Sequence, residues 1–292
     1  MKYCVLLILL LTNISFGLVL HPEGEPNELW IDRPLDSVVG RVGSNSSCVV
    51  IHPNYVITPE HVGVTINTII RVEGISYNVE DFWNAPYSDL CLVKVLNANF
   101  INYARIYSNG SHWGGEIIIG GYGQGRGSEI TTEAGVLRGY LWDGSGNVNL
   151  RWGTNIIDAV YVDMIFIDFD EYGTSTQYEC ACALYDSGAG FFIFDEGEWR
   201  LFGIANSVQT FGSSFFYPPD FNRGIKLSEH EDWINNIICD KEDLNKDYYI
   251  DILDLIIFSN NWLEIGENIA DIDDDGIVNL HDFEKLMKKW RE

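Results

Sequence analysis

Cations are scarce in this chain: 18 Lys and Arg stand against 43 Asp and Glu, a net charge of −25. Gripping a nucleic-acid backbone takes an excess of Lys and Arg on one face. No segment supplies one, so no nucleic-acid partner is expected. Residues 240–292 alone hold 15 acidic against 6 basic side chains, and the remainder is acidic too. The bias therefore belongs to the whole surface and first of all favours solubility. Long apolar runs are also lacking. Past the N-terminal run, nothing approaches the roughly 20 uninterrupted apolar residues that a membrane helix needs, so no membrane span is expected. Cysteine is sparse. Beyond Cys4 the chain has Cys48, Cys91, Cys180, Cys182 and Cys239, and an odd number leaves at least one thiol unpaired in a monomer.

What is present begins with a leader. Met1-Lys2, an apolar run from Cys4 to Leu11 and small residues at Ser15-Phe16-Gly17 have the layout of a secretory signal peptide, with removal after Gly17. The mature protein is expected to be exported, and residues 18–239 and 240–292 are expected to form two domains. With 46% hydrophobic and 13% aromatic residues, the chain can build a packed core.

From Val38 to Phe221 short β-branched and aromatic runs alternate with Gly, Asn, Asp and Pro, as in Cys48 to Ile51, Leu90 to Val95 and Gly190 to Phe194. This is the pattern of an antiparallel β-sandwich or barrel. The first segment with helical signals starts at Ser228, a predicted N-cap followed by acidic residues and Trp233, Ile234, Ile237 and Ile238.

Three segments could carry nucleophilic catalysis, which needs a serine, a base to take its proton and a carboxylate to orient that base. His61 follows V-I-T-P-E, Asp89 opens D-L-C-L-V-K-V, and Ser187 lies in D-S-G-A-G before an apolar strand. In this order, with the later F-G-I strand and the closing segment Gly224 to Ile238, they resemble the trypsin-like serine proteases over about Val38 to Ile238. The resemblance implies an all-β double barrel: two antiparallel six-stranded barrels plus a C-terminal helix. It places His61 and Asp89 on the first barrel and Ser187 on the second, with the backbone N–H groups of Ser187 and Tyr185 as oxyanion donors. Such enzymes cleave polypeptides. Tyr185 departs from the glycine usual there, Ala189 and Gly190 differ more mildly, and no cysteine follows His61. Alignment puts Ala181 at the floor of the specificity pocket and Asn206-Ser207-Val208 along the substrate, with Val208 narrowing the entrance. This implies small or medium apolar side chains before the scissile bond. The family also buries a freed Ile or Val terminus against the aspartate here numbered Asp186, and Val38-Val39-Gly40 faintly matches such a terminus.

After Cys239 the composition changes. Calcium loops offer oxygens from positions 1, 3, 5, 7, 9 and 12, the seventh a backbone carbonyl. Asp243, Asn245, Asp247, Tyr249, Asp251 and Asp254 fit this register, and Asp271, Asp273, Asp275, Ile277, Asn279 and Asp282 fit it again 28 residues later. Ile250 and Val278 both fall at position 8. The repeat, with helices expected over Leu255 to Leu263 and Phe283 to Trp290, resembles type I dockerins. That resemblance implies two Ca2+ ions and docking onto a cohesin domain, and catalysis needs no cofactor. Tyr248 replaces the usual turn glycine of the first loop. The sequence thus reads as a secreted serine endopeptidase with a small α-helical dockerin-like calcium module. The rival reading is an inactive protease fold used as a binding module on an extracellular scaffold.

Overall fold

The computed structural model describes residues 18–23, 30–142, 149–209, 214–216 and 220–290. The expected leader, 1–17, lies outside them. The chain divides into two compact units, Met1–Glu229 and His230–Glu292.

In the first unit, β1 (Val19–Leu20) precedes β2 (Val39–Val42), β3 (Ser46–His52), β4 (Tyr55–Thr58), β5 (Ile69–Val72), β6 (Ile75–Asn84) and β7 (Cys91–Val95). The last six close a barrel in the order β2-β3-β4-β7-β6-β5. Its filling is dominated by Val42, Val50, Val56, Val72, Val79, Val93 and Val95 with Cys48 and Cys91. Small branched side chains suit so narrow an interior and the extended backbone alike.

The second half contains β8 (Glu116–Gly121), β9 (Arg126–Thr131), β10 (Leu137–Trp142), β11 (Arg151–Ile156), β12 (Ala159–Tyr161), β13 (Met164–Asp168), β14 (Cys180–Ala181), β15 (Gly190–Asp195), β16 (Glu198–Gln209), β17 (Ser214–Phe216) and β18 (Phe221–Lys226). Seven of these form one sheet, β11-β8-β15-β16-β18-β13-β12. Alternate residues Ile117 and Ile119, Ile165 and Ile167, and Phe191 and Ile193 turn inward to its core. The expected all-β architecture of two barrel-like sheets holds, but the second sheet is a half-barrel of seven strands rather than a closed six-stranded one. β9, β10 and β17 pair among themselves in a separate three-stranded sheet, and β14 pairs with β1. The five cysteines among the described residues are all free thiols.

The C-terminal helix, α1 (Glu231–Ile238), begins after a 3-10 turn over Leu227–His230. Ser228 lies inside that turn, so His230, not Ser228, is the capping position. In the same unit α2 (Ile252–Asn260) and α3 (Leu280–Lys289) start three residues before the sequence expectation. Asp251 and Asn279 cap them, and Asp254 and Asp282 complete reciprocal capping boxes. Leu244, Ile250, Phe258, Ile272, Val278 and Leu286 fill the core between the two loop–helix repeats.

Candidate functional site

His61 sits on a one-turn 3-10 segment, Glu60–Val62, directly after β4, and Asp89 lies just before β7. Two hydrogen bonds fix their relation. The His61 backbone N–H donates to Asp89 Oδ1 at 2.7 Å, and the ring Nδ1 meets Asp89 Oδ2 at 2.6 Å. A carboxylate facing Nδ1 holds the proton there and leaves Nε2 as an acceptor. Ser187 Oγ lies 2.8 Å from Nε2. Burial pushes the Asp89 carboxyl up, but hydrogen bonds from the His61 ring, the His61 backbone and Asn206 outweigh it and hold the group below its ordinary value.

Ser187 belongs to the loop before β15 and is tied to the first barrel, because its carbonyl accepts from Ser47 N–H at 2.8 Å. Thr58 Oγ1 donates to the Ser47 carbonyl at 2.9 Å, which holds β3 and β4 at the same junction. Gly188 is required at this seam: its φ is +89°, and a Cβ there would lie 2.1 Å from the Ser47 carbonyl oxygen. Tyr185 adopts a φ of 75°, so it takes the left-handed backbone that its family counterpart reaches with glycine. Among the described residues, neither the Tyr185 nor the Ser187 N–H donates to a backbone acceptor.

Beside Ser187 a cavity of about 170 Å³ is walled by Cys182, Ala183, Ala205, Asn206, Ser207 and Val208. Asn206, Ser207 and Val208 thus border it as expected from sequence, but Ala181 does not. Ala181 is fully buried, pairs with Val19 and packs with Tyr140 and Phe169. The β1–β14 pairing turns it away from the cavity, and Cys182 and Ala183 take the wall instead. Cys182 is held from behind by Asn222, which accepts from its N–H at 2.9 Å and donates to its carbonyl at 3.1 Å.

Sequence reasoning named Asn206 and Asp186 but not the partners they have here. Asn206 donates to Asp89 Oδ2, and the irregularity between Ala205 and Ser207 in the β16–β18 pairing is the kind of bulge that re-aims a side chain. Asp186 is fully buried and accepts from Gly123 N–H at 2.7 Å, from Ala183 N–H at 2.9 Å and from the Leu18 backbone N–H. In the uncleaved chain Val39 pairs with Val49 inside the first barrel.

In the second unit the two predicted loops share one hydrogen-bond pattern. Asp243 accepts from the N–H groups of Asp247 and Tyr248, and Asp271 from those of Asp275 and Gly276. Asp254 accepts from Asn245 and Asp251 N–H, and Asp282 from Asp273 and Asn279 N–H. In the second loop, ligand oxygens of Asp271, Asp273 and Asp275 lie within 4.8 Å of one another. This oxygen-rich donor set fits a hard cation such as Ca2+, and the position 7 carbonyl of Ile277 lies in the same loop, where it accepts from Asn279 Nδ2 at 2.9 Å. The first loop closes over Tyr248 at φ 77°, the second over Gly276 at φ 87°.

No helix among the described residues is long and apolar enough to cross a membrane. No curated protein matches the chain. The family model described as "Dockerin type I domain" matches residues 241–289, a family that binds calcium and occurs in extracellular enzymes of scaffolded complexes. The C-terminal region of the chain is a type I dockerin domain.

Proposed function

We propose that the protein is a secreted serine endopeptidase carried to an extracellular scaffold by its dockerin domain. The observation that supports this most is the hydrogen-bonded line Asp89–His61–Ser187, assembled from three separate segments at 2.6 and 2.8 Å. In this reading His61 Nε2 takes the Ser187 proton as Oγ attacks the scissile carbonyl, then returns it to the leaving amine. Asp89, held by Asn206, keeps the proton on Nδ1 and stabilises the imidazolium. The uncommitted N–H groups of Tyr185 and Ser187 receive the developing oxyanion. The cavity walled by Cys182, Ala183, Ala205 and Val208 accepts a small or medium apolar side chain. In the dockerin domain, Asp243, Asn245, Asp247, Asp251 and Asp254 with the Tyr249 carbonyl hold one Ca2+. Asp271, Asp273, Asp275, Asn279 and Asp282 with the Ile277 carbonyl hold the other. Bound Ca2+ would supply the charge that offsets the converging carboxylates, and α2 and α3 would then present a cohesin-binding surface.

One feature favours the rival reading of a silent protease fold: a tyrosine held at φ 75° beside the nucleophile, where a side chain costs about 1 kcal/mol or more. A fluorophosphonate probe decides between them. Covalent labelling that disappears in Ser187→Ala supports the enzyme; a wild-type chain that stays unlabelled supports the silent fold.

A further inference from the structure

Ala183, one of the residues that wall the cavity beside Ser187, packs in a small buried cluster with Val19, Tyr140, Phe169 and Ala181. His21 lies against the same cluster. It is 1% exposed, its ring stacks on Phe169 with centroids 4.6 Å apart, and it meets the edge of Tyr140 at 5.8 Å. Both ring nitrogens are engaged. Nε2 lies 2.9 Å from the Asp170 carbonyl oxygen, which can only accept, so Nε2 carries the proton. Nδ1 is left as an acceptor and faces the Tyr140 hydroxyl at 3.1 Å. Arg126 sits 5.7 Å over the Tyr140 ring and donates to the Leu20 carbonyl at 2.7 Å, and Val19 and Leu20 pair with Ala181 and Cys180.

Burying a polar ring among apolar side chains costs free energy that a phenylalanine or leucine would not incur. What the imidazole adds is direction. One hydrogen bond fixes the Tyr140 ring through its hydroxyl, and the other fixes Phe169 through the carbonyl of the next residue. Burial and Arg126 hold His21 below its ordinary value against the Asp170 carbonyl, Glu23 and Glu171, which raise it; Tyr172 also faces the ring, tilted at 5.7 Å. The ring is therefore neutral at neutral pH, with one donor and one acceptor to match its two partners. A second proton would turn Nδ1 into a donor and force the Tyr140 hydroxyl to reverse.

We infer that His21 is a positioning residue of the candidate specificity cavity: through Tyr140 and Phe169 it holds the cluster that backs Ala183, and with it the wall on which a substrate side chain packs. The inference rests on the serine-peptidase reading for its consequence, but not for the packing itself. The triad is held by other means, His61 by Asp89, Asp89 by Asn206 and Ser187 by Ser47. A displaced wall therefore weakens binding of that side chain and spares the chemical step. The closed arrangement takes a neutral ring, whereas a histidine in water protonates near about 6.5. Its stability is complete above that value and is lost as pH falls below it, so the opening equilibrium rises by up to about tenfold between pH 7.5 and 5.5.

The test uses the full-length protein, its His21→Ala variant and the conservative His21→Gln, whose amide can donate to Asp170 and accept from Tyr140 without titrating. Hydrolysis is measured on two peptides that differ only before the scissile bond, Val in one and Gly in the other. His21→Ala is expected to raise KM for the Val peptide about fivefold or more, part of what a buried valine contributes, and to leave kcat within about twofold. KM for the Gly peptide should not move, and His21→Gln should restore the Val peptide. An equal rise for both peptides, or a fall in kcat at unchanged KM, overturns the positioning role. Hydrogen exchange, corrected for its intrinsic pH dependence, needs no activity. Amides of residues 18–21 and 180–183 are expected to open several-fold, up to about tenfold, more often at pH 5.5 than at pH 7.5 in the wild type, and equally often in His21→Gln. Equal protection of the wild type at the two pH values overturns the inference, whether or not either variant folds. Exchange as expected in a chain that hydrolyses neither peptide and takes no fluorophosphonate label keeps the packing role of His21 and overturns the peptidase reading.

Discussion

The two units bring reactive groups together in opposite ways. In the β-rich unit His61 meets Asp89 across 28 residues and Ser187 across 126, so the site exists only when two sheets are fully formed and joined. In the dockerin domain the oxygens come from alternate positions of one short loop, such as Asp271, Asp273 and Asp275, and the same loop is used twice. The first site is held by hydrophobic packing and needs no ligand to persist. The second crowds carboxylates that repel one another until a cation arrives. One chain therefore contains a site stabilised by its fold and a domain stabilised by what it binds.

The largest effect that would separate them is chemical. Ser187→Ala is expected to lower peptide hydrolysis by roughly 10⁴-fold or more while calcium titration stays unchanged. Loss of calcium binding in the same variant would show that the two sites are coupled. Calcium removal tests the converse. Chelation should loosen Asp243 to Trp290, seen as lost helical circular dichroism, and a chain ending at Asp240 should hydrolyse peptide with or without chelator. An inactive truncated chain, or one that the chelator inhibits, breaks the comparison.

This difference also explains what the sequence could tell. The calcium register was legible because local spacing is itself geometry: Asp243 and Asp271 sit at the same step of the same ring. Even so, α2 and α3 start earlier than expected, because positions 9 and 12 serve as N-cap and capping-box partner besides offering oxygens. Around the triad, His61, Asp89 and Ser187 were legible from their flanking motifs. Their support was not. Asn206 reaches Asp89 through an irregularity in strand pairing, and Cys182 enters the cavity wall because the β1–β14 pairing turns Ala181 inward. Leu18 meets Asp186 across most of the domain. Each depends on which strands become neighbours, and no local pattern encodes that.

A smaller test uses the two tyrosines that stand where glycine is expected, Tyr185 at φ 75° and Tyr248 at φ 77°. Glycine relieves a left-handed penalty of about 1 kcal/mol but adds unfolded-state entropy of similar size. Tyr248→Gly should leave the calcium affinity of the first loop within about a few-fold of wild type, because the two terms offset each other. Isothermal titration against the unchanged second loop measures it. Tyr185→Gly should leave thermal stability within a few degrees of wild type, because the surrounding fold already enforces the turn. A larger loss of calcium affinity in Tyr248→Gly would mean that the tyrosine ring, not the backbone, matters there.

The last test is a pH dependence of the β-rich unit. Glu179 is buried, with its carboxyl among Asn155, Thr176 and the Asp170 N–H. Burial pushes it up to about 8 against the hydrogen bonds that lower it. The folded state therefore keeps a proton that the unfolded state gives up near the ordinary glutamate value. A raised carboxyl contributes stability that is complete below the unfolded value and is lost as pH rises toward 8. In Glu179→Gln the side chain does not titrate, and its amide oxygen can still accept from Asn155 Nδ2 or Thr176 Oγ1. Thermal melts of the chain ending at Asp240, from pH 5 to 8, should therefore decline for the wild type and run flatter for the variant. Parallel curves would show that Glu179 is ionised throughout and that its hydrogen bonds to Asn155 and Thr176 outweigh its burial.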